Sequence, residues 1–185
     1  MLQRVLIIFG VMTLADMRDS NFLVVRPSAA WVFSNLWRII AFGGGSGLLR
    51  PAPGTWGTLF GWLLWGLFLQ GRPDTVIIIV LLAGFVLGCL ACERAGRALG
   101  VVDHGGMVFD EIIAFWLVLW LTPASLAAQA VAFVLFRFFD ILKPQPIRYF
   151  DRHLHNGFGV MWDDIVAAAY SLLVMAVLVA FGAFK

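Results

Sequence analysis

Charge is scarce in this chain. Of 185 residues, 13 are Lys or Arg and 11 are Asp or Glu, together 13%, against about 25% in an ordinary soluble domain. So few charged side chains cannot coat a soluble globule of this size. The same shortage excludes disorder, since disordered chains are polar and rich in charge. The net charge is only +2 and no basic run exists, which leaves no electrostatic footprint for nucleic acid. Two cysteines provide no disulfide framework. Cys89 and Cys92 form C-x-x-C inside an apolar stretch without a βαβ pattern, which reads as core packing. What is abundant is apolar surface, at 62% of residues, and the class that remains is one small integral membrane domain.

The charges cluster, and long uncharged runs lie between the clusters: Pro51–Gly71, Thr75–Cys92, Ile112–Phe136 (divided by Pro123) and Ile165–Phe184. A hydrocarbon core about 30 Å thick takes roughly 20 helical residues at about 1.5 Å each. These runs predict an all-α bundle of about five transmembrane helices, near 55–70, 75–93, 107–122, 124–142 and 161–183. The third spans only if Asp110 and Glu111 belong to it. Thr122-Pro123-Ala124-Ser125 reads as a tight connection between antiparallel helices. Trp31–Phe42 mixes aromatic and polar residues and suits an N-terminal helix lying in the interface. Val5–Ala15 is too short to span, and no small-residue cleavage site follows it. Residues 1–30 therefore read as a poorly ordered or interfacial extension, and 31–185 as a single domain.

Ten Lys and Arg fall in residues 1–54, 93–106 and 143–160, against Arg72 and Lys185 on the other side. That bias places the N-terminus and both charged loops in the cytoplasm. The acids repeat it. Asp103, Asp110, Glu111, Asp140, Asp151, Asp163 and Asp164 all fall at cytoplasmic helix ends or in the joining loops. Asp110 and Glu111 sit about a turn inside helix three, Asp163 and Asp164 begin helix five, and Asp140 shares a face with Arg137 one turn earlier. Carboxylates near a membrane are costly, and adjacent pairs repel. Arg137, Lys143, Arg148 and Arg152 offset part of this. A hard divalent cation does so more completely, because carboxylate oxygens are its preferred ligands.

A second cluster is rich in glycine: Gly43-Gly44-Gly45-Ser46-Gly47, then Arg50-Pro51-Ala52-Pro53-Gly54-Thr55-Trp56-Gly57-Thr58. It leads into helix one from the cytoplasmic side. Glycines let backbone N–H groups approach a phosphate, and a helix N-terminus favours the anion. Ser46, Gly47 and Thr55 are the phosphate-binding candidates here, although no Walker pattern is present. Gly57 and Gly61, like Gly84 and Gly88, have the G-x-x-x-G spacing of close helix packing. Asp103-His104-Gly105-Gly106 and His155-Asn156-Gly157 add two histidines to the charged layer. Several of the eight Trp, including Trp116, Trp120 and Trp162, lie near predicted helix ends, as interfacial anchors do.

In chain order, Pro53-Gly54-Thr55-Trp56-Gly57-Thr58, Asp103-His104-Gly105, Phe109-Asp110-Glu111, the block from Phe136 through Arg148 with its F-R-x-x-D-x-x-K-P-x-P-I-R pattern, and Gly157-x-Gly159-x-Met161-x-Asp163-Asp164 resemble the phosphatidylglycerophosphatase A family of bacterial inner membranes. The likeness runs from about residue 38 to 183. It implies a Mg²⁺-dependent phosphatase that converts phosphatidylglycerophosphate to phosphatidylglycerol and inorganic phosphate. On this resemblance, Asp103, His104, Asp110 and Asp163 are the catalytic candidates. Arg137, Lys143 and Arg148 are candidates to bind phosphate, and Asp110, Glu111, Asp140, Asp163 and Asp164 to hold metal. Asp151 also matches the polar motifs, and Asn156 stands where a glycine is common. The expected chemistry is direct attack by water activated at the ion.

Other phosphatase classes fail on spacing. C-x₅-R is missing, since Ala95 and Ala98 stand where the arginine would. K-x₆-R-P is missing too, since Asp19, Gly43 and Trp65 occupy the lysine position. The D-x-D-x-T/V pattern of an aspartyl-phosphate enzyme and the D-x-x-D-G-x-x-A-R pattern of the CDP-alcohol transferases are absent. A competing class is a proton- or cation-coupled transporter, which predicts acids at mid-membrane and inverted repeats. A third is a scaffold whose charged layer binds a partner.

Overall fold

The computed structural model describes residues 27–145, 154 and 156–184; the N-terminal run through Arg26, and with it Val5–Ala15, lies outside the described residues. The described chain is helical, with no strand among those residues. Two short helices come first, α1 (Ala29–Phe33) and α2 (Leu36–Ala41). The sequence predicts one interfacial helix over Trp31–Phe42. It breaks because Asn35 is extended and its side chain accepts from the Trp37 N–H at 2.9 Å, capping a new helix. A 3₁₀ segment, Gly43–Leu48, then turns the chain through Gly43, Gly44 and Gly45, all at positive φ.

Five longer helices follow. α3 is Pro53–Leu64 and continues as a π-helical turn, Trp65–Leu69. α4 is Asp74–Leu99, α5 is Phe109–Trp120, α6 is Leu126–Leu142 and α7 is Gly157–Ala180. The predicted order of helices holds, but the ends move. α4 runs six residues past the predicted end at 93, because Arg94 and Arg97 are good helix formers in water and only hydropathy stops before them. α7 starts at Gly157, because Asn156 caps it by accepting from the Gly159 N–H at 2.9 Å. Pro123 lies outside α6, whose cap is Ser125.

α5 is the centre of the bundle. Ile112, Ile113, Ala114, Phe115, Val118 and Leu119 are buried around its circumference, and α3, α4, α6 and α7 all pack on it. The glycines explain how closely. A Cβ on Gly57 would overlap Val108, and one on Gly84 would overlap Ile113. A Cβ on Gly88 would overlap Met161, and one on Gly61 would come within 3.2 Å of Ile112, close approaches of the kind the G-x-x-x-G spacing predicts. Trp116 is not an interfacial anchor, since its indole N–H donates to the Gly61 carbonyl at 2.7 Å within the bundle. Trp120 does sit at an end and donates to Asp74 at 2.9 Å.

Two helices, α4 and α7, are long and apolar enough to cross a membrane. α5, at 12 residues, reaches only about 18 Å, so five crossings are not established by helix length. Only 28% of the most apolar window of α4 and 33% of that of α7 is buried. The core helix of a soluble protein would be mostly buried, whereas Ile79, Leu82, Val86 and Leu173 point outward. Short connections at 70–73 and 121–125 close one end of the bundle. The longer segments 42–52 and 100–108 lie at the other, with the end of α6 and the start of α7, and the described acids of α5, α6 and α7 collect there.

Candidate active site

Four helices bring polar side chains to that end. α5 supplies Asp110 and Glu111 in its first turn rather than a turn inside, because the helix begins at Phe109. α6 supplies Arg137 and Asp140 near its end. α7 supplies Asp163 and Asp164, which lie in its second turn and do not begin it. α3 supplies Gly54 and Thr58.

Arg137 is the hub. Its Nη1 lies 2.8 Å from Asp140 Oδ2, the i,i+3 pair that the sequence predicts on one face, and 3.0 Å from Glu111 Oε1. It also donates to Thr58 Oγ1 at 3.4 Å. The buried Thr58 hydroxyl sits 2.8 Å from the Gly54 carbonyl and 3.3 Å from Glu111 Oε2. Lys143 ends α6 in the left-handed region, φ 42°, and its Nζ reaches Asp163 Oδ2 at 3.4 Å.

The five acids divide by helix geometry. Successive helical residues point about 100° apart, so neither adjacent pair aims both carboxylates at one point. Glu111, Asp140 and Asp164, one from each of three helices, place an oxygen each within 4.8 Å of one another. Asp163 turns toward Lys143, and Asp110 is buried beside the trio. Asp110 Oδ1 and Asp164 Oδ2 are buried without a hydrogen-bond partner. An orphaned buried carboxylate oxygen is costly. Among the described residues, five acids here face two cations, Arg137 and Lys143. Excess negative charge, a converging oxygen trio and orphaned oxygens together fit a hard divalent cation.

The remaining candidates sit to one side. His104 stacks on Phe42 with ring centroids 5.9 Å apart, and its Nδ1 accepts from the Gly106 N–H at 3.0 Å. Gly47 is buried against the Gly106 carbonyl of the 103–108 loop, and the Ser46 hydroxyl donates to the Gly43 carbonyl at 2.9 Å within its own turn. Thr55 lies half-buried in the first turn of α3, and Asp103 is exposed beside His104. Arg148, Asp151 and His155 lie outside the described residues.

Burial holds the His104 imidazole below its usual 6.5, against the pull of Asp103 and with help from Arg50. Protonating Nδ1 would remove the acceptor that Gly106 uses. The neutral ring's contribution to stability is therefore present above pH 6.5 and is lost as pH falls through the depressed value. The Gly106 amide nitrogen resonance is expected to move with this titration, at a midpoint below 6.5. A midpoint at or above 6.5 contradicts the assignment.

Three contributors were not picked out from sequence. Thr58 and Gly54 carry the Glu111–Arg137 contact, and Gly54 is required: a Cβ there would overlap Glu111 Oε1 and lie 2.7 Å from Arg137 Nη2. Their signal was the four-residue spacing within Pro-Gly-Thr-Trp-Gly-Thr. Glu93 accepts from the Gly157 N–H at 2.7 Å and holds the start of α7 against α4; as an acid at a helix end it carried no distinguishing pattern.

The phosphatidylglycerophosphatase A family model matches residues 39–179. A protein of Haemophilus influenzae named phosphatidylglycerophosphatase A is 48% identical over 139 residues, covering 74% of this chain and 85% of its own. A protein of Escherichia coli K12 with the same name is 41% identical over 139 residues, 75% of this chain and 80% of its own. No solved structure matches this chain.

Proposed function

The chain belongs to the phosphatidylglycerophosphatase A family and is a phosphatase of that kind, and from that premise we propose that it hydrolyses phosphatidylglycerophosphate with Mg²⁺ at the cytoplasmic face of a bacterial inner membrane. The observation that carries the reading is the trio Glu111, Asp140 and Asp164 beside Arg137 and Lys143 at one end of the bundle. A phosphomonoester on a lipid needs an anion site at headgroup depth, and the asymmetric charge supplies one. Residues 31–185 form one membrane domain. The exposed apolar faces of α3, α4, α6 and α7 face lipid. All five long helices cross, with the shorter ones completed by their connecting segments. The transporter reading is not favoured, since the acids collect at one edge.

Glu111, Asp140 and Asp164 would hold the ion, which when bound neutralises phosphoryl charge and activates water. Arg137, fixed by Glu111 and Asp140, offers its remaining N–H groups to the phosphoryl oxygens, with Lys143 at the end of the same helix. The oxygen of water bonds to phosphorus as the bond from phosphorus to the glycerol oxygen breaks. Asp110, whose Oδ1 is buried and unpartnered, takes the proton of the attacking water and returns it to the leaving oxygen. Asp163 steadies Lys143. Asp103 and His104 shape the adjoining loop.

Protein purified in detergent should release phosphate from phosphatidylglycerophosphate in Mg²⁺, and EDTA should abolish the release. Hydrolysis that survives EDTA would sink the metal assignment. Hydrolysis of phosphatidate in preference to phosphatidylglycerophosphate would move the substrate.

A further inference from the structure

α3 and α6 both pack on α5, and they touch one another through side chains. At the charged end Arg137 meets Thr58 at 3.4 Å. One to two turns further on, Trp62 stacks on Phe133 with centroids 5.8 Å apart and donates to Gln129 at 2.7 Å. Gln129 in turn lies 3.4 Å from Gln70. Outside this seam runs a groove of about 480 Å³, walled by Leu59, Leu63, Gly66 and Leu67 of α3 and by Leu126 and Gln129 of α6. The α3 positions recur every three or four residues, so they form one stripe. Its inner end, Leu59, adjoins Thr58.

Three features fit this groove to a chain rather than to another helix. Gly66 has no neighbour within 4 Å of where a Cβ would stand, so the missing side chain keeps the groove open. Gly66 also lies in the π turn, a distortion often kept at functional sites. Leu59 to Leu67 covers about 12 Å of helix rise, close to the roughly 15 Å depth of one leaflet.

We propose that this groove seats an acyl chain of the substrate phospholipid while its terminal phosphate lies among Arg137, Lys143 and the carboxylates. The inference rests on the reading of the site as a lipid phosphatase. Polarity matches along the substrate: the Leu59 end of the groove lies next to Thr58, which Arg137 meets at 3.4 Å, and the run beyond it is walled by leucines; Arg72, near the far end, is exposed and donates to the Phe68 carbonyl at 3.1 Å. The Gln129 amide is engaged on both sides, its oxygen accepting from the Trp62 indole and its nitrogen donating to the Gln70 side-chain oxygen.

The test compares two substrates on Gly66→Trp and Leu63→Trp, neither of which touches the charged residues. One substrate is diacyl phosphatidylglycerophosphate; the other is the same headgroup freed of its acyl chains. Filling the groove should raise KM for the diacyl lipid roughly tenfold or more and leave turnover of the deacylated headgroup unchanged. Equal losses on both substrates, or none on either, in both variants overturn the groove. A wild-type protein that hydrolyses neither overturns the reading of the site instead. A diazirine on the acyl chain of the substrate should label Leu63 or Leu67, and unlabelled substrate should compete. Equal competition by bulk phosphatidylethanolamine means ordinary lipid contact, and it too overturns the proposal.

Discussion

Asp164→Asn is expected to lower phosphate release about 10³-fold or more and, in the same protein, to raise the melting temperature measured without Mg²⁺. The two effects share one cause. Asp164 is buried, its Oδ2 has no hydrogen-bond partner, and it converges with Glu111 and Asp140. Without a cation, that geometry is a concentration of like charge in a low-dielectric site, and removing one carboxylate relieves it. With a cation, the same removal takes away a ligand. Stabilisation by Mg²⁺, read as the rise in melting temperature on adding it, should accordingly shrink in the variant. A structural role alone predicts the opposite: activity and melting temperature falling together, with the response to Mg²⁺ intact. Asp163→Asn serves as the comparison, because Asp163 faces Lys143. It should lose less activity and keep most of the response to Mg²⁺.

Gly54→Ala should lower kcat/KM about 10²-fold, the loss typical of a displacement near 1 Å at a reacting centre. Gly54 is buried in the first turn of α3, where alanine is the better helix former by roughly 1 kcal/mol. The backbone therefore gives no reason for a loss. The obstacle is the new methyl group, which would occupy the space of Glu111 Oε1 and crowd Arg137 Nη2. Glu111 and Arg137 must separate or turn, and both carry the proposed phosphate and ion sites. Gly66→Ala is the control, since open space surrounds it, and it should stay near wild type on the deacylated headgroup. Full activity in Gly54→Ala would show that the Glu111–Arg137 contact is dispensable. Circular dichroism and detergent-solubilised yield separate this from a failure to fold.

Much of this arrangement was legible beforehand because it is local. Arg137 and Asp140 are three residues apart, and the pattern alone places them on one face. The G-x-x-x-G pairs announced close helix approaches, and the structure supplies their partners. Thr122–Ser125 read as a tight connection, and it joins α5 to α6. Helix ends were less legible where the signal was hydropathy. Hydropathy stops at Arg94 although the helix does not, and it did not register that Asn35 caps a new turn.

The members of the carboxylate trio were not legible. The sequence offered two adjacent acid pairs and Asp140, and periodicity says only that adjacent side chains diverge. Which of each pair turns inward depends on how α5 and α7 are rotated about their axes, and packing against three other helices sets that. Thr58 meets Glu111 across 53 positions and Arg137 across 79, and Glu93 meets Gly157 across 64. No local pattern encodes such meetings.

The sequence by itself therefore determined the helical class, the apolar exterior and the gathering of charge at one end, since each follows from composition and short-range periodicity. Only the tertiary structure decided that Glu111, Asp140 and Asp164 share one point, that Gly54 must lack a side chain for Arg137 to reach Glu111, and that α3 and α6 leave a groove between them. These are consequences of where separate helices are held relative to one another. The close packing around α5 fixes those positions, and no single segment of the chain contains that information.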